Sequence, residues 1–211
     1  NFALPPLLVH TMHTGDATAL TGWARTLRVP LPSASFLNFT ASHDGIGVTP
    51  VRGVLPDRDI DAMIERVESW GGLVYYRTRP GGEHEPYELN VSYIDALTPP
   101  GASDDERAAR FLVTQAIMLA MQGVPGVYLH SLLGSRSWHA GVTGPDDRRA
   151  INRQKLTIGG KGEDGLDVTD LQDMSTLRGK VHLPYAQLLR LRRRHAAFHP
   201  RAPASVLDLH P

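Results

Sequence analysis

An imidazole and a carboxylate stand side by side at His43 and Asp44, where an apolar run that begins at Phe36 ends just before two glycines, Gly45 and Gly47. A carboxylate so placed can stabilise developing positive charge, and an imidazole beside it can hydrogen-bond a hydroxyl. A strand over 36–44 would bury its apolar residues and project the pair at its C-terminal tip, where barrel enzymes carry their chemistry. The glycines would let the chain turn sharply where a substrate comes close. The same residues also fit an ordinary strand leaving through a polar turn, and the dipeptide alone does not choose.

Other residues with chemical potential have simpler readings. Glu83, Glu85 and Glu88 flank a hairpin, and Asp104, Asp105 and Glu106 open a helix, where acidic side chains suit the dipole. The ten histidines are scattered singly. None pairs at i, i+4 beside a carboxylate, and His10 with His13 reads as a helix face, so no metal site is expected. Gly159-Gly-Lys-Gly162 lacks the spacing, the following Ser or Thr and the preceding strand of a phosphate loop. Cysteine is absent, which excludes disulfides, thiolate metal sites and a cysteine nucleophile.

The elements that must position these residues follow from periodicity and punctuation. After the apolar run 2–9, Asp16 is expected to cap a helix. Beyond the 36–44 strand, residues 45–56 read as loop, and Asp57 as the cap of a helix over 58–70 with Ile60, Met63, Ile64 and Val67 on one face, ended by Gly71-Gly72. Residues 73–77 and 87–93 alternate as strands around Pro80-Gly81-Gly82. Ser103 caps a helix through Met121 with Phe111, Ile117, Met118 and Met121 apolar, and Gly123 precedes a buried strand over 124–130. Residues 134–167, long and aperiodic, suggest a functional loop. A last helix spans about 176–197, with Arg190 and Arg192–Arg194 on a solvated face, and 204–209 reads as the first strand of another unit.

The chain has 211 residues, 41% hydrophobic and 21% charged, enough for one sizeable core. Basic and acidic residues number 22 each, so no global field favours nucleic acid or an anionic membrane. No apolar stretch approaches a membrane span, no leader pattern opens the chain, and the cytoplasm is the default location.

Asn1-Phe-Ala-Leu-Pro-Pro-Leu7, His43-Asp-Gly-Ile-Gly47, Gly123-Val-Pro-Gly-Val-Tyr128 and Ile151-Asn-Arg153, in that order and at those separations, resemble the sucrose phosphorylase group of the α-amylase superfamily. The resemblance implies an α/β chain forming part of a (β/α)8 barrel, about strands six to eight, with the strands at 36 and 124 as the seventh and eighth. A complete barrel takes about 250 residues. The implied organisation is a barrel segment over 1–45, an inserted small α/β subdomain with the hairpin over 46–102, the last strand, active-site loop and final helix over 103–200, and the start of a C-terminal β domain over 201–211.

Retaining glycoside chemistry needs a nucleophilic carboxylate and a carboxylic acid roughly 5 Å apart, and it passes through an oxocarbenium-like transition state. By the resemblance, Asp44 is the third carboxylate of the superfamily, gripping the glucosyl ring as charge builds, and His43 donates to a sugar hydroxyl. The nucleophile and the acid/base would lie on strands four and five, ahead of residue 1, so the chain alone should lack turnover. Tyr87 lines up with an acceptor-site tyrosine, Arg149 with an active-site arginine able to meet phosphate, and Arg153 either braces the loop or touches ligand. Arg77, Arg79 or Arg136 could pair with a carboxylate-bearing acceptor, which leans the expected substrate toward glucosylglycerate over sucrose. The partners implied are an α-glucoside, inorganic phosphate and the missing N-terminal half of the barrel, with no cofactor, metal, nucleic acid or membrane. A half-barrel would expose a sheet edge that a second copy, as a homodimer, could also cover. A hydrolase or transglucosidase of the same superfamily, or a non-catalytic half-barrel, are the alternatives.

Overall fold

The computed structural model describes residues 1–29, 31, 33–160, 162 and 164–207. The apolar opening run becomes helix α1 (Leu4–Thr14), with Pro5 in its first turn, where a missing N–H costs nothing. Helix α2 (Thr18–Thr26) follows. Its N-cap is Ala17, and the Asp16 carboxylate instead accepts from the Thr18 N–H at 2.8 Å.

Strand β1 covers only Leu37–Phe39, shorter than expected, because its ladder partner β5 (Val124–Gly126) is equally short. The two pair in parallel, Leu37 opposite Val124 and Phe39 opposite Gly126, and both Leu37 and Val124 are exposed. His43 and Asp44 therefore lie in a turn beyond the strand, four and five residues past its last member. The stretch 45–56, expected as loop, holds strand β2 (Ile46–Gly47) and a 3-10 turn at Thr49–Val51. Helix α3 (Asp57–Ser69) has Pro56, not Asp57, at its N-cap, and Asp57 and Asp59 fill the first turn, where their charge meets the dipole. Gly71, at a φ of 91°, ends it, and the Gly72 N–H returns to the Val67 carbonyl at 2.9 Å.

The hairpin is β3 (Leu73–Thr78) and β4 (His84–Asn90), with a register shift at Tyr75/Tyr76. Its second strand starts at His84, not Tyr87, and stops at Asn90, because the chain turns at Ser92 into the short helix α4 (Tyr93–Ala96). With β2 added, it is a three-stranded antiparallel sheet in the order β2-β4-β3. Helix α5 (Asp104–Ala120) is capped as expected by Ser103, whose hydroxyl accepts from the Glu106 N–H at 3.2 Å. The stretch after β5 does not stay extended to His130, since α6 (Leu129–Leu132) begins there.

Residues 134–167 carry 3-10 turns at His139–Gly141 and Pro145–Asn152 and the two-residue pair β6 (Thr157–Ile158) and β7 (Gly165–Leu166). Helix α7 (Leu177–Arg194) is capped by Thr176. Residues 204–207 form no strand, and 208–211, like Lys161 in the glycine-rich segment, lie outside the described residues. No helix among the described residues is long and apolar enough to cross a membrane.

The core joins the apolar faces of α1, α3, α4, α5 and α7. Leu4, Leu7, Leu8, Ile60, Val67, Leu97, Met118 and Val181 are fully or almost fully buried. A chain of edge-to-face rings, Tyr93 to Phe111 to Tyr185 at 6.4 and 6.0 Å, runs through it. Two polar networks are buried with it. Gln115 Oε1 accepts from Thr40 at 3.0 Å and Tyr185 at 2.9 Å, which ties the chain just after β1 to α5 and α7. Arg107, 1% exposed, donates to Asp95 at 3.1 Å and Thr98 at 2.7 Å and to the carbonyls of Pro99, Pro100 and Ala102. Asp95 also accepts from Arg136 and, at 2.7 Å, from the Ser137 N–H, so α4 anchors the loop that follows α6.

Asp95→Asn leaves the Arg107 guanidinium buried without its counter-charge and should cost about 3–5 kcal/mol in urea unfolding. An unchanged midpoint would show that Arg107 does not depend on Asp95.

A second measurement concerns pH. His13 Nε2 meets the Ala96 carbonyl at 2.7 Å, and its Nδ1 is buried with no partner, so an imidazolium there would carry an unsatisfied donor. Burial first, then the charges of Arg66, His10 and Arg110, outweigh the Ala96 hydrogen bond and press the His13 pKa to about 4 from 6.5. The folded state thus favours the neutral ring: its contribution is complete above pH 6.5 and is lost as pH falls toward 4, up to about 3 kcal/mol. In wild type the unfolding midpoint should drop through that window, and His13→Gln should flatten the drop. Identical slopes in the two proteins would contradict the assignment.

Candidate active site

The turn after β1 is held from three sides. Its start is fixed by Thr40 on Gln115. The Asp44 N–H donates to Ser42 Oγ at 3.1 Å, and Asn152 Nδ2 donates to the carbonyls of both Ser42, at 2.7 Å, and Asp44, at 3.0 Å. Gly45 then presses on β4, where a Cβ would come within 2.4 Å of the Leu89 carbonyl and 2.6 Å of the Glu88 side chain. The glycine is thus required for close approach, though to a neighbouring strand rather than to a substrate.

Asp44, half-buried, meets two guanidiniums, Arg149 Nη1 at 2.8 Å and Arg153 Nη2 at 3.1 Å. His43 points outward, its Nε2 3.6 Å from the same carboxylate, and its carbonyl accepts from Arg153 Nε at 2.6 Å. Arg153 therefore braces the turn and touches Asp44 at once. Arg149 reaches further. Its Nε and Nη2 donate to the two oxygens of Glu88 at 3.0 and 2.6 Å, a bidentate pair, while Nη1 stays on Asp44.

Glu88 is the hub of this arrangement. It is 3% exposed, and besides Arg149 it accepts from the Gly45 N–H at 2.8 Å and from Asn90 Nδ2 at 2.6 Å. Burial would raise its pKa, but the hydrogen bonds from Arg149, Gly45 and Asn90 and the Arg149 charge together hold the carboxyl below the usual carboxylate value. The same contact, against burial and with help from the charges of Glu88, Asp44 and Tyr87, holds the Arg149 pKa above that of an ordinary arginine. Sequence reasoning set Glu88 aside as one more hairpin acid. The available signal was its i, i+2 spacing from Asn90, which puts both on one face of β4.

Tyr87, on the opposite face of that strand, packs edge-to-face on Tyr75 with centroids 6.1 Å apart, under the Arg77 guanidinium at 5.2 Å. Arg77 and Arg79 both pair with Glu85, and Arg52 stands 3.7 Å from it, three guanidiniums on one carboxylate. Arg136 is not part of either group, for its Nε is committed to Asp95. The structure thus brings together Asp44, His43, Arg149, Arg153 and, one residue from Glu88, Tyr87. It leaves Arg136 in a different network. Among the described residues no group of three or more His, Asp or Glu side chains is arranged to hold a metal ion.

No model of a known protein family matches the chain. It is similar to the glucosylglycerate phosphorylase of Spirochaeta thermophila, 46% identical over 207 residues, covering 98% of this chain and 34% of that protein. It is also similar to the glucosylglycerate phosphorylase of Escherichia coli, at 42% over 200 residues and covering 94% of this chain. A sucrose phosphorylase of Agrobacterium vitis is 34% identical over 143 residues, 64% of this chain. Among solved structures, the crystal structure of sucrose 6F-phosphate phosphorylase from Thermoanaerobacter thermosaccharolyticum shares its fold with a TM-score of 0.72 at 21% identity, over 94% of this chain and 36% of that one. The chain thus spans about a third of the length of the relatives it matches. Across that third, it is homologous to the glucosylglycerate and sucrose phosphorylases, the group that its four ordered motifs resemble.

Proposed function

We propose that this chain is the C-terminal part of a retaining α-glucoside phosphorylase, moving a glucosyl group between glucosylglycerate and inorganic phosphate. The observation that carries the reading is the contact of Asp44 with Arg149 at 2.8 Å, which joins two separated motif segments at one point beyond the strand β1. The parallel pairing of β1 with β5 fits adjacent strands of a (β/α)8 barrel, and the β2-β4-β3 sheet between them in sequence fits an insertion over 46–102.

In this reading, Asp44 is the transition-state stabiliser. A fixed carboxylate interacts more strongly with an oxocarbenium-like ring than with the neutral ground state, so its binding energy lowers the barrier rather than only the KM. His43, exposed beside it, is free to meet a sugar hydroxyl. Glu88 holds one edge of the Arg149 fork and Asp44 meets its Nη1, so the guanidinium is fixed beside Asp44, where a phosphate oxygen would meet the N–H groups that remain. The nucleophile and the acid/base belong to the remainder of the protein, and the chain alone turns nothing over.

The acceptor side falls to the hairpin. Arg77 and Arg79 share the Glu85 carboxylate while Arg52 also pairs with Asp57 at 3.5 Å, and both Arg77, over the Tyr87 ring, and Arg79 are about half exposed. A glycerate carboxylate is the complementary group. Arg136, tied to Asp95, is the weaker candidate of the three.

The test is phosphorolysis by the protein that contains this chain. Glucose 1-phosphate should form from glucosylglycerate faster than from sucrose, and only with inorganic phosphate present. Asp44→Asn should lower turnover roughly 10²- to 10³-fold. Glucose released at the same rate without phosphate would make the protein a hydrolase, and an unaffected Asp44→Asn enzyme would remove Asp44 from the mechanism.

A further inference from the structure

A cleft of about 300 Å³ lies between the loop after α6 and the start of α7, lined by Arg136, Ser137, Trp138, Gln154, Asp170 and Arg178, among others. Its size is that of a small-molecule site. Its walls are fixed independently of any ligand. The Ser137 N–H is held by Asp95 at 2.7 Å, and the Trp138 N–H by the Ile151 carbonyl at 2.8 Å. Gly141 lies so near the Trp138 ring that a Cβ there would sit 2.1 Å from it, so only a glycine lets the loop close against the indole.

Two guanidiniums face this space with donors to spare. Arg136 uses Nε on Asp95, and Arg178 uses Nη1 on the Leu133 carbonyl at 3.0 Å and on Ser135 Oγ at 3.4 Å. The remaining N–H groups of both have no partner among the described residues. The carboxylates beside these two guanidiniums are Asp95, which Arg136 shares with the buried Arg107, and Asp170, whose charge acts on Arg178. Arg178 is also in the first turn of an 18-residue helix, where the dipole disfavours a cation, so helix stability does not account for an arginine there. An oxyanion in the cleft would satisfy both forks, and the Trp138 ring offers an apolar face for the carbon skeleton behind it.

We infer that this cleft binds a small hydroxylated oxyanion, a carboxylate or phosphate held between Arg136 and Arg178 against Trp138. The inference stands apart from the roles of Asp44 and Arg149, since no lining residue of the cleft belongs to that cluster.

The experiment is a titration of the protein, labelled with 15N-tryptophan, in which the Trp138 indole resonance is followed against inorganic phosphate, glycerate and, as the neutral control, glycerol. Saturable shifts with a Kd on the order of 1 mM are expected for one or both anions and none for glycerol, and the tighter anion identifies the ligand class. Arg178→Met should weaken binding tenfold or more. Because Arg178 also holds Leu133, Asp170→Asn supplies the counterpart: removing the one carboxylate facing Arg178 should tighten binding about threefold, a gain that misfolding cannot imitate. Asp44→Asn should leave the titration unchanged even where phosphorolysis is lost. No saturation with either anion, equal binding of glycerol, or full affinity in Arg178→Met would overturn the assignment.

Discussion

The Glu88 carboxylate, taken out of water and paired with Arg149, is the constraint on which the rest of the site depends. A buried carboxylate is tolerable only if its oxygens are filled, and here four donors fill them: two from Arg149, the Gly45 N–H and Asn90. Each donor fixes a different piece of chain. Gly45 belongs to the turn that carries Asp44, Asn90 to the β2-β4-β3 sheet, and Arg149 to the long loop after β5. Satisfying one buried charge therefore brings three segments to one point. The arginine has a third donor left over, and Asp44 takes it. The arrangement of the turn follows from the needs of the hub as much as from its own sequence.

The scaffold repeats the device. Asp95 is the hub of a second network in which Arg107 and Arg136 both meet its Oδ1, with Ser92 and the Ser137 N–H on Oδ2 completing its shell. This network locks α4 to α5 and holds the start of the loop that later supplies Arg149 and Arg153. In the core, Gln115 carries a neutral version of the same bridging to Thr40 and Tyr185. The loop over 134–167, aperiodic in sequence, is thus pinned at its start through Arg136 and Ser137 and in its middle through Arg149 and Asn152.

The longer helices α3, α5 and α7 were legible because their signals are local, whereas α4 and α6 begin where strands were expected. Ser103 before three acids announced α5, the face of Ile60, Met63, Ile64 and Val67 announced α3, and Gly71 closed it. Strand lengths were not, because a strand ends where its partner ends: β1 stops at Phe39 since β5 offers no more ladder, and the extended stretch expected after Val124 gives way to α6 at Leu129. The two-residue β2 left no pattern to read. Caps at Asp16 and Asp57 missed by one residue, as Ala17 and Pro56 already held the extended or intermediate backbone before each helix. At the site, Asp44, His43 and Arg149 were named from ordered motifs, whereas Glu88 was missed. Its partner is 61 residues away, and a glutamate in an alternating strand looks solvated until that partner is known.

The central claim is that Arg149, held by Glu88, ties the Asp44 turn to the β2-β4-β3 sheet. A double-mutant cycle on Asp44→Asn and Glu88→Gln, read as unfolding free energy, tests it directly, because Arg149 is the side chain that touches both carboxylates, beside the backbone link from the Gly45 N–H to Glu88. The account predicts non-additivity of about 0.5 kcal/mol or more that shrinks in an Arg149→Met background. Strict additivity in the wild-type background, or a coupling undiminished by removal of Arg149, would contradict it.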